Sequence, residues 1–210
     1  MSSSTPCVSP MRAAKTPLAY RALMQVPRRA ALQVAALALL PALAPAQSIA
    51  PASPAPAEVL REFDSPRLQG SGRMRFLAFD LYEARLWTPA EFRPARYGEA
   101  AFALELNYLR SLSTDVLVEA SVREMRRLGS LTSQREATWT PPLKAAFPSV
   151  KPGDRITGVH RPGQGAAFYV NGQLRTAWDD PELGRAFFAI WLSPASSEPA
   201  LRAQLLGAAP

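Results

Sequence analysis

The sequence predicts an α+β domain, an antiparallel sheet covered by helices. Three observations predict it. Alternating apolar and polar residues mark strands in two groups, first between Phe76 and Leu109 and then between Gly153 and Trp178. Each group is followed by two segments with helical spacing and helix-end signals. The chain shows no internal repeat.

The first strand is read in "FLAFDLYEARLW", Phe76 to Trp87. Phe79 and Leu81 point one way, Asp80 and Tyr82 the other. From Glu83 the parity flips, with Ala84 and Leu86 apolar between Glu83 and Arg85. Strict alternation has period two, so a flip needs one extra residue, a β-bulge near Tyr82. "GSG" at Gly70–Gly72 precedes this strand and reads as a turn; it lacks the spacing of a phosphate-binding loop. "AFALELNYL" (Ala101–Leu109) alternates again and forms a second strand.

A helix follows, capped by Ser113 or Thr114, with Asp115 in its first turn and Gly129 beyond its end. Leu117, Ser121, Met125 and Leu128 share one face. A second helix begins near Ser133, and Pro141-Pro142 should interrupt it. "GDRITGVHRPGQGAAFYVNGQLRTAW" then reads as a three-strand meander, turned at Gly163 and Gly165 and again at Asn171-Gly172. "DDPELGRAFFAIWL" is a helix with an Asp cap, Pro181 in its first position and an apolar face of Leu183, Ala186, Phe187, Ile190 and Trp191. A short helix from Glu198 to Leu206 stops at Gly207.

The beginning of the chain reads differently. Arg28 and Arg29 precede an apolar run from Ala30 to Leu40, then small residues at Ala44 and Ala46. That order is a secretory signal peptide, with cleavage expected after Ala46 and a possible start at Met24. The run is shorter than the ~20 apolar residues of a membrane span. Residues 47–57, rich in Pro, Ala and Ser, form an expected linker to a domain spanning residues 58–210. These features predict a periplasmic or secreted protein with no membrane span after cleavage.

The full chain has a net charge of +7, but residues 1–46 contain five basic residues and no acidic ones. Removing them leaves 19 basic against 17 acidic residues, a net of +2. This near-neutral remainder argues against nucleic acid as a partner. The single cysteine, Cys7, also lies in the leader, so the mature chain has no disulfide or thiolate chemistry.

Few residues suggest chemistry. His160 is the only histidine and has no catalytic motif around it, so it reads as a satisfied or solvent-facing strand residue. With it alone and no mature cysteine, neither a metal site nor a cofactor is expected. Asp179-Asp180 reads as a helix cap. Two clusters remain: Arg73, Arg75 and Tyr82 on and before the first strand, and Tyr108 and Arg110 at the end of the second. A guanidinium fork beside a phenol suits a carboxylate or phenolate. The competing reading is surface ion pairing at strand ends.

From about Pro66 to Gly207 the order of motifs resembles the bacterial chalcone isomerase-like family. The carriers are "GSGRMRFLAFDLYEARLW", "ALELNYLRSLSTDVLVEASVREMRRLG", "FPSVKPGDRITGVHRPGQGAAFYVNGQ" and "DPELGRAFFAIWLSP" with the terminal "LLG". The resemblance implies an open-faced β-sandwich, a large antiparallel sheet with a layer of helices on one face. Plant members of the family add a phenolate to an enone within one molecule. Their sites use an Arg, a Thr on the first long strand, and a Tyr and an Asn on the following helix. Those positions fall here near Met74, on Leu77, near Leu117 and near Glu124.

Leu77 and Leu117 therefore predict a shared apolar cleft without catalytic residues. Some family members bind fatty acids, with an Arg and a Tyr at the carboxylate. The resemblance thus implies a non-catalytic protein binding a small apolar carboxylate or a flavonoid-like molecule through Arg73, Arg75, Tyr82, Tyr108 and Arg110. An isomerase with altered site residues and a structural or partner-binding envelope protein are the alternatives.

Overall fold

A computed structural model describes residues 54–207. The expected signal peptide, the start at Met24, Cys7 and most of the linker lie outside the described residues. Helix α1 (Ala57–Glu62) leads into strands β1 (Arg67–Phe76), β2 (Phe79–Thr88) and β3 (Phe102–Tyr108). Helices α2 (Thr114–Arg127) and α3 (Ser133–Ala146) follow, then β4 (Arg155–Arg161), β5 (Gly165–Val170) and β6 (Gln173–Trp178). Helices α4 (Pro181–Leu192) and α5 (Pro199–Leu205) end the fold. The six strands form one antiparallel sheet in sequential order.

The caps and turns follow the local chemistry. Ser113 Oγ accepts from the Val116 N–H, and Asp180 Oδ1 accepts from the N–H groups of Glu182 and Leu183. Asn171 and Gly172 both take positive φ, as a tight hairpin of this hand requires. The bulge lies at Leu81: Met74 pairs with Tyr82 while Arg75 pairs with Asp80. Its extra residue brings Tyr82, Ala84 and Leu86 onto the face under the helices.

That face carries the main core. Phe147, Phe168, Trp178, Phe187, Phe188 and Trp191 interlock in stacked and edge-to-face pairs between the sheet and α4. Gly158 in β4 makes the arrangement possible, since a Cβ there would sit 3.0 Å from Phe168 and 3.1 Å from Phe188. His160 closes this layer at one side. Its ring stacks on Phe102 at 4.9 Å, and Nδ1 lies 3.1 Å from the Ala100 carbonyl. Burial holds its pKa below the usual imidazole value.

Four expectations are corrected. "FLAFDLYEARLW" is not one strand: Leu77 and Ala78 form the two-residue turn of the β1–β2 hairpin. Leu77 takes φ +55°, a left-handed conformation that costs a non-glycine residue roughly 1–2 kcal/mol. "GSG" is not a turn but the interior of β1. A Cβ on Gly70 would lie 2.0 Å from the Gln204 carbonyl oxygen, so the missing side chain lets the end of α5 pack on the strand.

Pro141 and Pro142 do not interrupt α3. The carbonyls they leave without helical partners belong to Ala137 and Thr138, both exposed residues. The last correction is α1, since no helix was expected ahead of the first strand.

Helix α1 covers part of the sheet's second face, where Val59 packs with Trp87, Ala103, Val159, Ala167 and Tyr169. Glu58 is fully buried there. It accepts from Arg155 Nε and Nη2 at 2.9 and 3.1 Å and from Thr157 Oγ1 at 2.8 Å. Glu62 accepts from Arg161 Nη2 and from the Tyr169 hydroxyl. A second buried acid, Glu105, accepts from Trp87 Nε1 at 2.7 Å and Asn107 Nδ2 at 2.8 Å. Helices therefore dominate one face, and a small polar-edged patch with one short helix occupies the other.

Candidate ligand-binding site

The five candidate residues do not converge: the two tyrosines share one face of the sheet, Arg73 and Arg75 point to the other, and Arg110 lies at the hairpin end. Tyr82 and Tyr108 are direct cross-strand partners on the helix-covered face. Their rings meet edge-to-face at 5.8 Å. Cross-strand neighbours on one face are within easy reach, so the pairing follows from the bulge that re-aims Tyr82. Trp191 of α4 donates from Nε1 to the Tyr82 hydroxyl at 3.0 Å. Tyr108 is buried as a residue, yet among the described residues the buried side-chain polar atom without a hydrogen-bond partner is Thr88 Oγ1.

Burial pushes both phenols well above their ordinary pKa; for Tyr82 the Trp191 bond only partly offsets this. Both are therefore neutral hydroxyls. Tyr82 accepts from Trp191 and keeps its own proton to donate; Tyr108 is a second donor. Leu112 and Leu117 pack against the same core cluster. Glu124 is already engaged, accepting from Arg127 Nε at 2.8 Å and Ser197 Oγ at 2.9 Å. His160 stacks instead on Phe102 and Phe188, beside the Ala100 carbonyl. The tyrosine pair can hold an acceptor, and the carboxylates of Glu198 and Glu124 are near enough to help keep the Tyr82 phenol protonated.

Arg73 and Arg75 do not join this pair. Met74 points at the helices with Tyr82, so its neighbours point away. Arg73 binds Glu83 at 2.6 Å and Asp80 at 3.3 Å, and Arg75 binds Asp80 at 2.7 Å. This is the ion-pair arrangement weighed against ligand binding at the sequence level.

Arg75 does meet Arg110. Together with Leu77, Ala78, Asp80 and Leu109 they line a surface recess of about 500 Å³ at the hairpin end. Arg110 lies over the Phe79 ring, 4.4 Å from its centre, and has no carboxylate partner among the described residues.

The shared apolar cleft expected from Leu77 and Leu117 does not exist. Leu77 is 74% exposed on the hairpin tip, whereas Leu117 is half-buried in the helix layer. The hairpin turn falls at Leu77-Ala78 and not at "GSG", which carries Leu77 out of the sheet. Sequence reasoning also missed Trp191 as the partner of Tyr82. Its place on the apolar face of α4 was legible, but not the strand it would reach.

Among the described residues no group of three or more His, Cys, Asp or Glu side chains is placed to hold a metal ion. No described helix is long and apolar enough to cross a membrane.

Comparison with known proteins agrees with this architecture. A fatty-acid binding protein of Arabidopsis thaliana superposes with a TM-score of 0.54 at 13% identity, over 69% of this chain and 88% of that one. At that identity the likeness concerns the fold. No curated protein matches the sequence. The family model described as chalcone isomerase-like matches residues 56–207, most of the chain, so this protein belongs to the chalcone isomerase-like family.

Proposed function

We propose that this protein is a non-catalytic chalcone isomerase-like domain that binds a small apolar carboxylate, such as a fatty acid, under the helix layer. The single observation that carries the reading is the cross-strand Tyr82–Tyr108 pair, two neutral phenols side by side under the helix layer. A phenol O–H can donate to a ligand acceptor. Family membership and the fatty-acid binding protein among its structural neighbours support the ligand class.

Calorimetry with a medium-chain fatty acid tests this. Binding that Tyr108→Phe weakens about tenfold is expected for a lost hydrogen bond to a charged group. Native mass spectrometry of the purified protein should show co-purified lipid. No binding by either method would end the proposal. The second reading, a partner-binding protein with a filled interior, is favoured by the close aromatic packing between the sheet and α4. It predicts no small-molecule binding at all.

We also propose export, on the strength of Arg28-Arg29, the Ala30–Leu40 run and the small residues at Ala44 and Ala46. Fractionation of expressing cells and N-terminal sequencing test it. A mature chain beginning at Gln47 is expected, and an unprocessed cytoplasmic chain would refute it.

A further inference from the structure

The β1–β2 hairpin tip serves no evident purpose in the fold. Two-residue hairpin turns favour Asn-Gly or Gly-containing pairs because the backbone needs positive φ. Here the turn reads "FLAF", with Leu77 in the left-handed region and 74% exposed. It is the most exposed of the large apolar side chains among the described residues. Glycine would relieve the strain, and a polar residue would suit the exposure. Leucine answers neither need.

Leu77 does not stand alone. The Leu109 N–H donates to the Leu81 carbonyl at 2.9 Å, which holds Leu109 and Arg110 beside the hairpin. Leu109 is 38% exposed and lines the same recess. Around these leucines stand Arg73, Arg75 and Arg110 against Asp80 and Glu83. Arg73 and Arg75 are held in ion pairs, and Arg110 supplies the unbalanced charge.

The geometry points to the hairpin tip as a docking element for an anionic lipid surface. Leu77 and Leu109 would enter the boundary between headgroups and acyl chains, with Arg110 at phosphate depth. An apolar point bordered by guanidiniums matches that interface, because arginine keeps its head among the phosphates while its stem lies along apolar groups. A guanidinium also offers paired donors to a phosphate. The excess positive charge supplies the complementarity, and it selects a bilayer over an apolar protein surface. This element uses neither Tyr82 nor Tyr108, so the inference stands independently of the proposed ligand.

The test is co-flotation of the full domain with vesicles of phosphatidylcholine, with and without phosphatidylglycerol. The wild type should float with the anionic vesicles, and added salt should weaken the association. Leu77→Gly suits the positive φ and keeps the fold, yet should lower partitioning about tenfold through the lost apolar side chain. Arg110→Gln should remove most of the preference for anionic vesicles. Equal partitioning of Leu77→Gly and the wild type would overturn the inference, as would failure of the wild type to float. Sedimentation velocity covers the rival occupant: a dimer abolished by Leu77→Gly would assign the tip to self-association and overturn the lipid reading.

Discussion

Replacing Glu58 with alanine tests whether α1 is part of the folded domain or an ornament on it. Glu58 is fully buried, and its carboxylate takes three hydrogen bonds, two from Arg155 and one from Thr157. Burial by itself raises its pKa, but its own backbone N–H, Arg155 and Thr157 outweigh that and hold the group below the usual glutamate value. It is therefore ionised at neutral pH, and its contribution is lost only as pH falls through that lowered value.

In Glu58→Ala the Thr157 hydroxyl, itself fully buried, loses its acceptor at a cost of about 1–3 kcal/mol. Breaking a buried ion pair costs about 3–5 kcal/mol when the remaining charge stays buried. Arg155 keeps 30% of its side chain exposed and can turn to water. Its share is discounted to about 1 kcal/mol, the size of an exposed pair. The expected loss is about 3 kcal/mol, or a fall in Tm of roughly 6–12 °C for a domain of this size. Urea unfolding followed by far-UV circular dichroism measures it, with an unchanged m-value showing that the same surface unfolds. Glu58→Gln should lose less, because its amide oxygen still accepts from Thr157. A loss below about 1 kcal/mol in Glu58→Ala would show that the α1 contacts are not formed in solution.

Two further outcomes follow from close packing and from charge. Gly70→Ala places a methyl 2.0 Å from the Gln204 carbonyl oxygen, so α5 must move. It should destabilise the domain by about 1–3 kcal/mol in the same urea assay, whereas alanine at Gly98, with only Arg185 Cδ at 4.0 Å, should be close to neutral. Asp154 accepts from the Lys151 ammonium and N–H and from the Asn171 amide, and these hold its pKa down to about 2. A lowered carboxylate pKa stabilises above the unfolded value near 4 and is lost as pH falls to about 2. The Tm gap between wild type and Asp154→Asn should therefore close over that window, and a constant gap would contradict the assignment.

Local signals were legible where one residue's chemistry settles the matter. Asp180 before Pro181, Ser113 before an acidic first turn, and Asn171-Gly172 each specify a backbone conformation within a few residues. The parity flip near Tyr82 was legible for the same reason: a one-residue shift exchanges the faces of a strand. The hairpin at Leu77-Ala78 was not legible, because neither residue is a turn former and the alternation runs on through them. The strand at Gly70–Gly72 was hidden by glycines whose purpose is contact with Gln204 and Leu205, far along the chain. Helix α1 was hidden as well. Six residues give almost no helical signal of their own, and its order comes from Glu58 and Glu62 reaching Arg155 and Arg161.

The candidate site divides along the same line. Sequence could name Tyr82, Tyr108, Arg73, Arg75 and Arg110 as residues able to hold an acid, since donor chemistry belongs to the side chain. It could not say which of them share a face once a bulge and a hairpin intervene. By itself the sequence determined the fold class, most of the helices and strands and the family, because periodicity, caps and turn residues act over a few neighbours. Only tertiary structure paired the two phenols, sent Arg73 and Arg75 to the opposite face and exposed Leu77. Those outcomes depend on strand register and on packing between residues a hundred or more positions apart, as in the bond from Trp191 to Tyr82.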